Sequence, residues 1–206
     1  MSIGKFIIFE GNEGTGKSTH ISFAADYLKK NKIEYVVTRE PGGTKFGESI
    51  RDILLDSKSN LDSTSEAILF YASRVYNYNN IILKALNEGK YVICDRFHYS
   101  TLVYQGIAQN NKDVIGLHDA LDPFFSKNIS LIFYLDASID TCFARINERN
   151  SSDKFEQQGR ELLVSIKSAY SKVFKDNSKV ALISTDDDKK SVQLQIQNYL
   201  DKLINV

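Results

Sequence analysis

The apolar positions of this chain fall into two alternating kinds of stretch. Short runs such as Phe6-Ile7-Ile8-Phe9, Tyr91-Val92-Ile93-Cys94 and Leu131-Ile132-Phe133-Tyr134-Leu135 are apolar at every position, the mark of strands covered on both faces. Strands are therefore predicted over 5–10, 34–38, 91–95, 131–136 and 180–184. Between them apolar residues recur with helical spacing, which predicts helices over 18–30, 46–57, 62–88, 97–108, 138–149, 156–174 and 188–204. Strands that alternate with helices specify an α/β fold: a five-stranded parallel sheet between two helical layers. Ligands of such sheets gather beyond the carboxyl ends of the strands.

Length and composition narrow the picture without changing it. The 206 residues hold no internal repeat, low-complexity tract or linker, so one domain over 1–206 is expected. The formal net charge is zero, so no general basic field argues for nucleic acid or an anionic membrane as partner. Cys94 and Cys142 lack metal-ligand spacing and read as reduced core thiols. No secretory signal is evident, and no apolar run approaches the ~20 residues needed to span a bilayer. A cytoplasmic protein is the expectation.

The chemistry begins directly after the first strand. Residues 11–19 read Gly11-Asn12-Glu13-Gly14-Thr15-Gly16-Lys17-Ser18-Thr19, a phosphate-binding loop set between a strand and a helix. Glycine lets successive backbone N–H groups point inward around an anion, and the helix adds its positive end. Lys17 then reaches the β- and γ-phosphates of a nucleoside triphosphate, and Ser18 offers a hydroxyl to Mg²⁺. Asp95 closes the third apolar run in the manner of a carboxylate that orders Mg²⁺ or its waters. Arg96 follows at once, so a metal-side carboxylate adjoins a phosphate clamp. A GTPase would carry Asn-Lys-x-Asp, which is absent, and Asp113-Val-Ile-Gly116 has no strand before it.

Arginine usage points to further ligand contacts. The chain uses 19 lysines but seven arginines, so the arginines are candidates for two-point contacts that lysine cannot make. Five fall in compact polar groups: Arg39 in TREPGGT, Arg74 in LFYASR, Arg96 in CDRFHYSTLVYQG, and Arg145 with Arg149 in ARINERN. Two readings stay open on these residues: a kinase acting on a deoxynucleoside or nucleoside monophosphate of whatever base, and an ATPase switch without an acceptor.

The ordered blocks FEGNEGTGKST, TREPGGT, GESIRDILL, EAILFYASR, CDRFHYSTLVYQG and ARINERNSSDKFEQ resemble the bacterial thymidylate kinases across about residues 5–170. The resemblance implies a nucleoside monophosphate kinase core with a mobile lid over about 145–159, ATP as donor with Mg²⁺, dTMP as acceptor, and a homodimer. It implies that Phe70 stacks on thymine, Arg74 donates to the 4-oxo group, Thr101 contacts N3 and Gln105 lies on the base and phosphate side. Arg51 and Arg96 are similar to the pair that holds the acceptor phosphate, and Tyr104 to the aromatic that crowds a 2′-hydroxyl. Glu13 matches the acidic residue near the sugar 3′-hydroxyl, and Glu40-Pro41 the strained turn of the family. Arg145, Arg149 and Lys154 match lid cations that favour the transition state only on closure. The chain departs from the family pattern at Lys154, at Tyr99 and in the Ile-Ala-Gln-Asn tract after Gly106.

Overall fold

Residues 4–148 and 159–204 are described by the computed structural model. The strands are β1 (Phe6–Glu10), β2 (Tyr35–Arg39), β3 (Tyr91–Asp95), β4 (Ile129–Asp136) and β5 (Val180–Ser184). They form a parallel sheet in the order β2-β3-β1-β4-β5. The central strand explains the continuous apolar run. Phe6 and Ile8 enter one buried cluster while Ile7 and Phe9 enter the other, on the opposite face. With helices on both faces there is no solvated side for polar residues to occupy.

Helix α1 (Lys17–Lys30) follows β1, and α2 (Lys45–Leu55) with α3 (Ser63–Asn77) follow β2. The predicted helix over 62–88 is not uniform. A π-helical turn over Tyr78–Ile82 separates α3 from α4 (Leu83–Asn87). The same happens after β3, where α5 (His98–Thr101) passes into a π-helical turn over Leu102–Ile107. Such turns widen the backbone by one residue and recur at functional sites.

One helix goes beyond the hydrophobic pattern as read. Helix α6 (Lys112–Ser126) contains Gly116 and Pro123, which mask a helical signal. Its start is nevertheless well capped, since the Asn111 side chain accepts from the backbone of Asp113 and Val114. Val114, His118 and Phe125 form its buried stripe, and Asp113-Val-Ile-Gly116 lies inside this helix rather than in a nucleotide loop. Buried His98 binds Asp122 at 2.8 Å and so ties α5 to α6.

Helices α7 (Ile139–Glu148), α8 (Arg160–Phe174) and α9 (Lys189–Ile204) complete the chain. Strand β4 begins two residues earlier than predicted, because Ile129 pairs with Phe6. Arg149, Lys154 and most of the segment expected to form a lid lie outside the described residues. No helix among the described residues is long and apolar enough to cross a membrane.

Candidate active site

The turn from β1 into α1 has the backbone of a phosphate cradle. Gly11 adopts φ 141° and Gly14 φ 79°. A Cβ on Gly11 would lie 2.2 Å from the Leu135 carbonyl oxygen, and one on Gly14 2.5 Å from that of Cys142. Only glycine fits either position. Gly16, at φ 82°, caps α1, so the positive end of this helix opens at the loop.

Lys17 is 7% exposed and its Nζ donates to the carbonyls of Gly11 at 3.1 Å and Asn12 at 2.8 Å. Burial, with Arg96 nearby, lowers its pKa, while Glu13 opposes that shift. Thr15 closes the loop by donating to the Asn12 carbonyl, and Asn12 donates to Leu163 on α8. Ser18 and Thr19 stand exposed on the first turn of α1. Ser18 and Asp95 line the same cleft, where Asp95 Oδ1 is buried and has no hydrogen-bond partner among the described residues.

Arg145 projects from α7 onto this loop. It donates to the Gly14 carbonyl at 3.2 Å and to the Thr185 carbonyl at 2.9 Å. Of the three expected lid cations, it is the one within the described residues.

Arg96 joins the phosphate loop to a second cleft. Its backbone is left-handed, φ 64°, a conformation that costs a branched or long side chain of order 1–2 kcal/mol and is held by surrounding bonds. The guanidinium donates to the Gly11 carbonyl (2.9 Å), Ser100 Oγ (3.1 Å), Tyr104 OH (3.2 Å), Tyr170 OH (3.3 Å) and Glu13 (2.5 Å). It also lies 5.1 Å from the Tyr104 ring centre.

Beneath it sits Glu10, fully buried at the end of β1. Glu10 accepts from the Phe97 and Ser100 amides, Ser100 Oγ and Tyr170 OH. Burial raises its pKa, and the charge of Arg96 opposes that shift. Four donors are the compensation that a buried carboxylate requires. Neither Glu10 nor Tyr170 was a predicted site residue. Glu10 looks like the last position of an apolar strand, and Tyr170 like one more position of an amphipathic helix.

The second cleft is lined by Glu13, Glu40, Pro41, Arg51, Leu55, Phe70, Arg74, Arg96, Ser100, Thr101, Tyr104 and Gln105. Every expected acceptor residue is in that set. Apart from Glu13 on the phosphate loop and Arg96 after β3, three pieces of backbone place them. The Glu40-Pro41 peptide is cis, and the Pro41 carbonyl accepts from Arg51 at 3.1 Å. Phe70 and Arg74 are four apart on α3, hence on one face. Thr101, Tyr104 and Gln105 enter from α5 and its π-helical extension.

Arg74 is 1% exposed. Its Nε donates to Glu40 at 2.5 Å, NH1 to Thr101 Oγ1 at 3.0 Å and NH2 to the Phe97 carbonyl at 3.2 Å. Three N–H groups are thereby used, and the two outer nitrogens each keep a further N–H. Gln105 donates to buried Glu66 at 3.1 Å, leaving its carbonyl oxygen as an acceptor. Tyr99, by contrast, is 8% exposed and packs against Phe174 and His98 in the core. It does not line the cleft, so this departure from the family pattern is a packing change.

The phosphate loop and the second cleft thus meet at Glu13 and Arg96. Residues 9–196 match the family model for thymidylate kinase. The chain belongs to the thymidylate kinase family. It is 37% identical to the thymidylate kinase of Legionella pneumophila strain Corby over 205 residues, covering 98% of this chain and 96% of that one. It is 40% identical to the Psychrobacter sp. strain PRwf-1 thymidylate kinase over 161 residues, 77% of each chain. The crystal structure of the Ehrlichia chaffeensis thymidylate kinase superposes with a TM-score of 0.75 at 29% identity, covering 96% of this chain and 98% of that one. Membership in this family accounts for the sheet order and for the order of the sequence blocks around the two clefts.

Proposed function

We propose that the chain transfers the γ-phosphoryl group of ATP to dTMP, giving dTDP and ADP, on one domain over residues 1–206 with a lid segment at about 145–159. The observation that carries this reading is Arg96, which bonds the Gly11 carbonyl of the phosphate loop while lining the cleft that holds Arg74 and Phe70. A nucleotide switch without an acceptor has no use for that second cleft.

Gly11 to Thr19 hold the donor phosphates. Lys17 exchanges its bonds to the loop carbonyls for phosphate oxygens, because a buried ammonium gains more from an anion than from two neutral acceptors. Arg51 and Arg96 hold the acceptor phosphate, and Glu13 stands between the two phosphate groups near the sugar. Phe70 stacks on the base, Tyr104 crowds a 2′-hydroxyl, and Glu40, Arg74, Thr101 and Gln105 fix the base edge. Arg145, Arg149 and Lys154 bring positive charge to the transferring group.

The donor set near Ser18 also suits Mg²⁺. The buried Asp95 oxygen, without a hydrogen-bond partner among the described residues, and the Ser18 hydroxyl are hard oxygen donors, and these two residues would hold the ion or its waters. When bound, the ion would neutralise charge on the β- and γ-phosphates. A homodimer fits the exposed apolar residues Phe46, Ile68, Val75 and Tyr76 on the α2 and α3 side. A cytoplasmic location fits a nucleotide enzyme with buried free thiols at Cys94 and Cys142.

The test is a coupled ADP-release assay with a panel of nucleoside monophosphates. ADP release that requires dTMP supports the reading. Equal release with no acceptor would replace it with an ATPase.

The cation roles separate kinetically. Arg96→Ala is expected to raise the KM for dTMP and lower kcat, since Arg96 touches both clefts. Arg149→Ala is expected to lower kcat, toward a limit of about 10³-fold if it acts as an arginine finger, with little change in KM. An Arg149 effect confined to KM would remove it from the lid.

A further inference from the structure

Asn77 lies on α3 one turn beyond Arg74 and is fully buried. Both ends of its carboxamide are used. Nδ2 donates to Glu40 Oε1 at 3.3 Å, and Oδ1 accepts from Thr38 Oγ1 at 3.1 Å. The orientation follows from the chemistry, because an ionised carboxylate can only accept and must face the amide donor. Thr38 is itself buried, on β2 two residues before Glu40. Gly43 presses on this pair, since a Cβ there would lie 2.2 Å from Thr38 Oγ1 and 2.7 Å from Asn77 Oδ1.

Glu40 is therefore shared, with Oε2 on Arg74 Nε and Oε1 on Asn77 Nδ2. The groups that face it are Arg74, Asn77 and Tyr71 from α3, Glu10 from β1 and Cys94 from β3. Arg74 is the cation among them. Burial pushes the Glu40 carboxyl up to about 7, and the bonds from Arg74 and Asn77 oppose that shift. Without the amide donor, Oε1 would be a buried acceptor with nothing to accept. A carboxylate in that position takes up a proton or turns. Either response loosens the bond that fixes Arg74.

We propose that Asn77 is a positioning residue for base selection: it braces Glu40 against β2, and Glu40 in turn presents the remaining N–H groups of Arg74 to the base in one fixed orientation. This rests on the dTMP reading above. It gives Gly43 a purpose beyond the turn itself, because a side chain there would strike the Thr38–Asn77 contact. It also assigns a specificity role to a residue that touches no ligand.

Asn77→Leu keeps the volume and removes the amide. Thr38→Val removes the hydroxyl that anchors the amide, leaves every direct Glu40 contact in place, and serves if the first variant fails to fold. Two readouts are compared with the parent enzyme: the titration of the Glu40 carboxyl by carbon NMR without ligand, and kcat/KM for dTMP and dCMP across pH.

In Asn77→Leu the Glu40 titration is expected to move up by about one pH unit, the size of one hydrogen bond to a charged group. The KM for dTMP should rise about tenfold at neutral pH and the preference over dCMP fall by a similar factor, with the KM for ATP within about twofold of the parent. Ionisation of the dTMP phosphate is common to all variants and cancels in the comparison. Thr38→Val should act in the same direction with a smaller effect. An unmoved Glu40 titration, or equal losses for dTMP and dCMP, would overturn the proposal. A parent enzyme inactive on dTMP would instead remove the function reading, and the ligand-free titration would still decide whether Asn77 braces Glu40.

Discussion

Replacing Lys17 with Ala is expected to lower kcat by about 10³-fold at saturating ATP while the thermal unfolding midpoint stays close to that of the parent. The asymmetry comes from what the ammonium touches. In the ligand-free protein its partners are two backbone carbonyls of its own loop, at 3.1 and 2.8 Å. Their loss is partly offset, because a buried cation no longer has to be desolvated. In the proposed reaction the same ammonium faces phosphate oxygens whose charge redistributes toward the transition state, and Ala would leave that charge uncompensated. Arg145 donates to the Gly14 and Thr185 carbonyls, so its charge stands at a different place on the loop from that of Lys17. Activity within about threefold of the parent would take Lys17 out of the mechanism. A large loss of thermal stability would show that its main work is closing the loop.

The parts of this site that were legible in the sequence are those written in consecutive residues. The phosphate loop announces itself because its glycines are demanded by backbone geometry: at Gly11 and Gly14 any side chain would strike a neighbouring carbonyl. Asp95 and Arg96 were visible as a charged pair at the end of an apolar strand, and the acceptor residues through their resemblance to family blocks. The support beneath them was not visible. Glu10 and Tyr170 meet across 160 positions of chain, and nothing local distinguishes Tyr170 from the other buried residues of α8. The π-helical turns were missed for a related reason, since one inserted residue hardly disturbs helical spacing over a short window. In α6, Pro123 and Gly116 outweighed a regular buried stripe that the Asn111 cap confirms. Asn77 reads as one polar residue in an aromatic helix until Glu40 and Thr38 are brought to it by β2.

Base choice is the property on which the substrate depends, and the cleft predicts a strong one. Thymine offers an acceptor at position 4 and a donor at N3, whereas cytosine offers an amino donor and a bare N3. Arg74 can only donate, and its Nε is committed to Glu40 while NH1 and NH2 each retain one N–H. Against thymine those groups find an acceptor. Against cytosine a donor meets a donor in a cavity where Arg74 is 1% exposed, so water cannot repair the mismatch. A buried polar mismatch of this kind discriminates by about 10⁴-fold, far more than a methyl group does. The enzyme is therefore expected to use dTMP well, dUMP less well, and dCMP hardly at all, as read from kcat/KM in the coupled assay. Arg74→Gln supplies an acceptor beside a donor and should shrink the dTMP preference. Alone, it would leave Glu40 buried without its cation, a loss of about 3–5 kcal/mol if the charge persists. Glu40 has a route around that cost, since burial already pushes its carboxyl up to about 7 and it can bind a proton. The double variant Glu40→Gln/Arg74→Gln removes the charge altogether and isolates the base-reading effect from stability. Equal use of dTMP and dCMP by the parent enzyme would contradict this pocket, and an unchanged preference in the double variant would assign the discrimination to Thr101 and Gln105 instead.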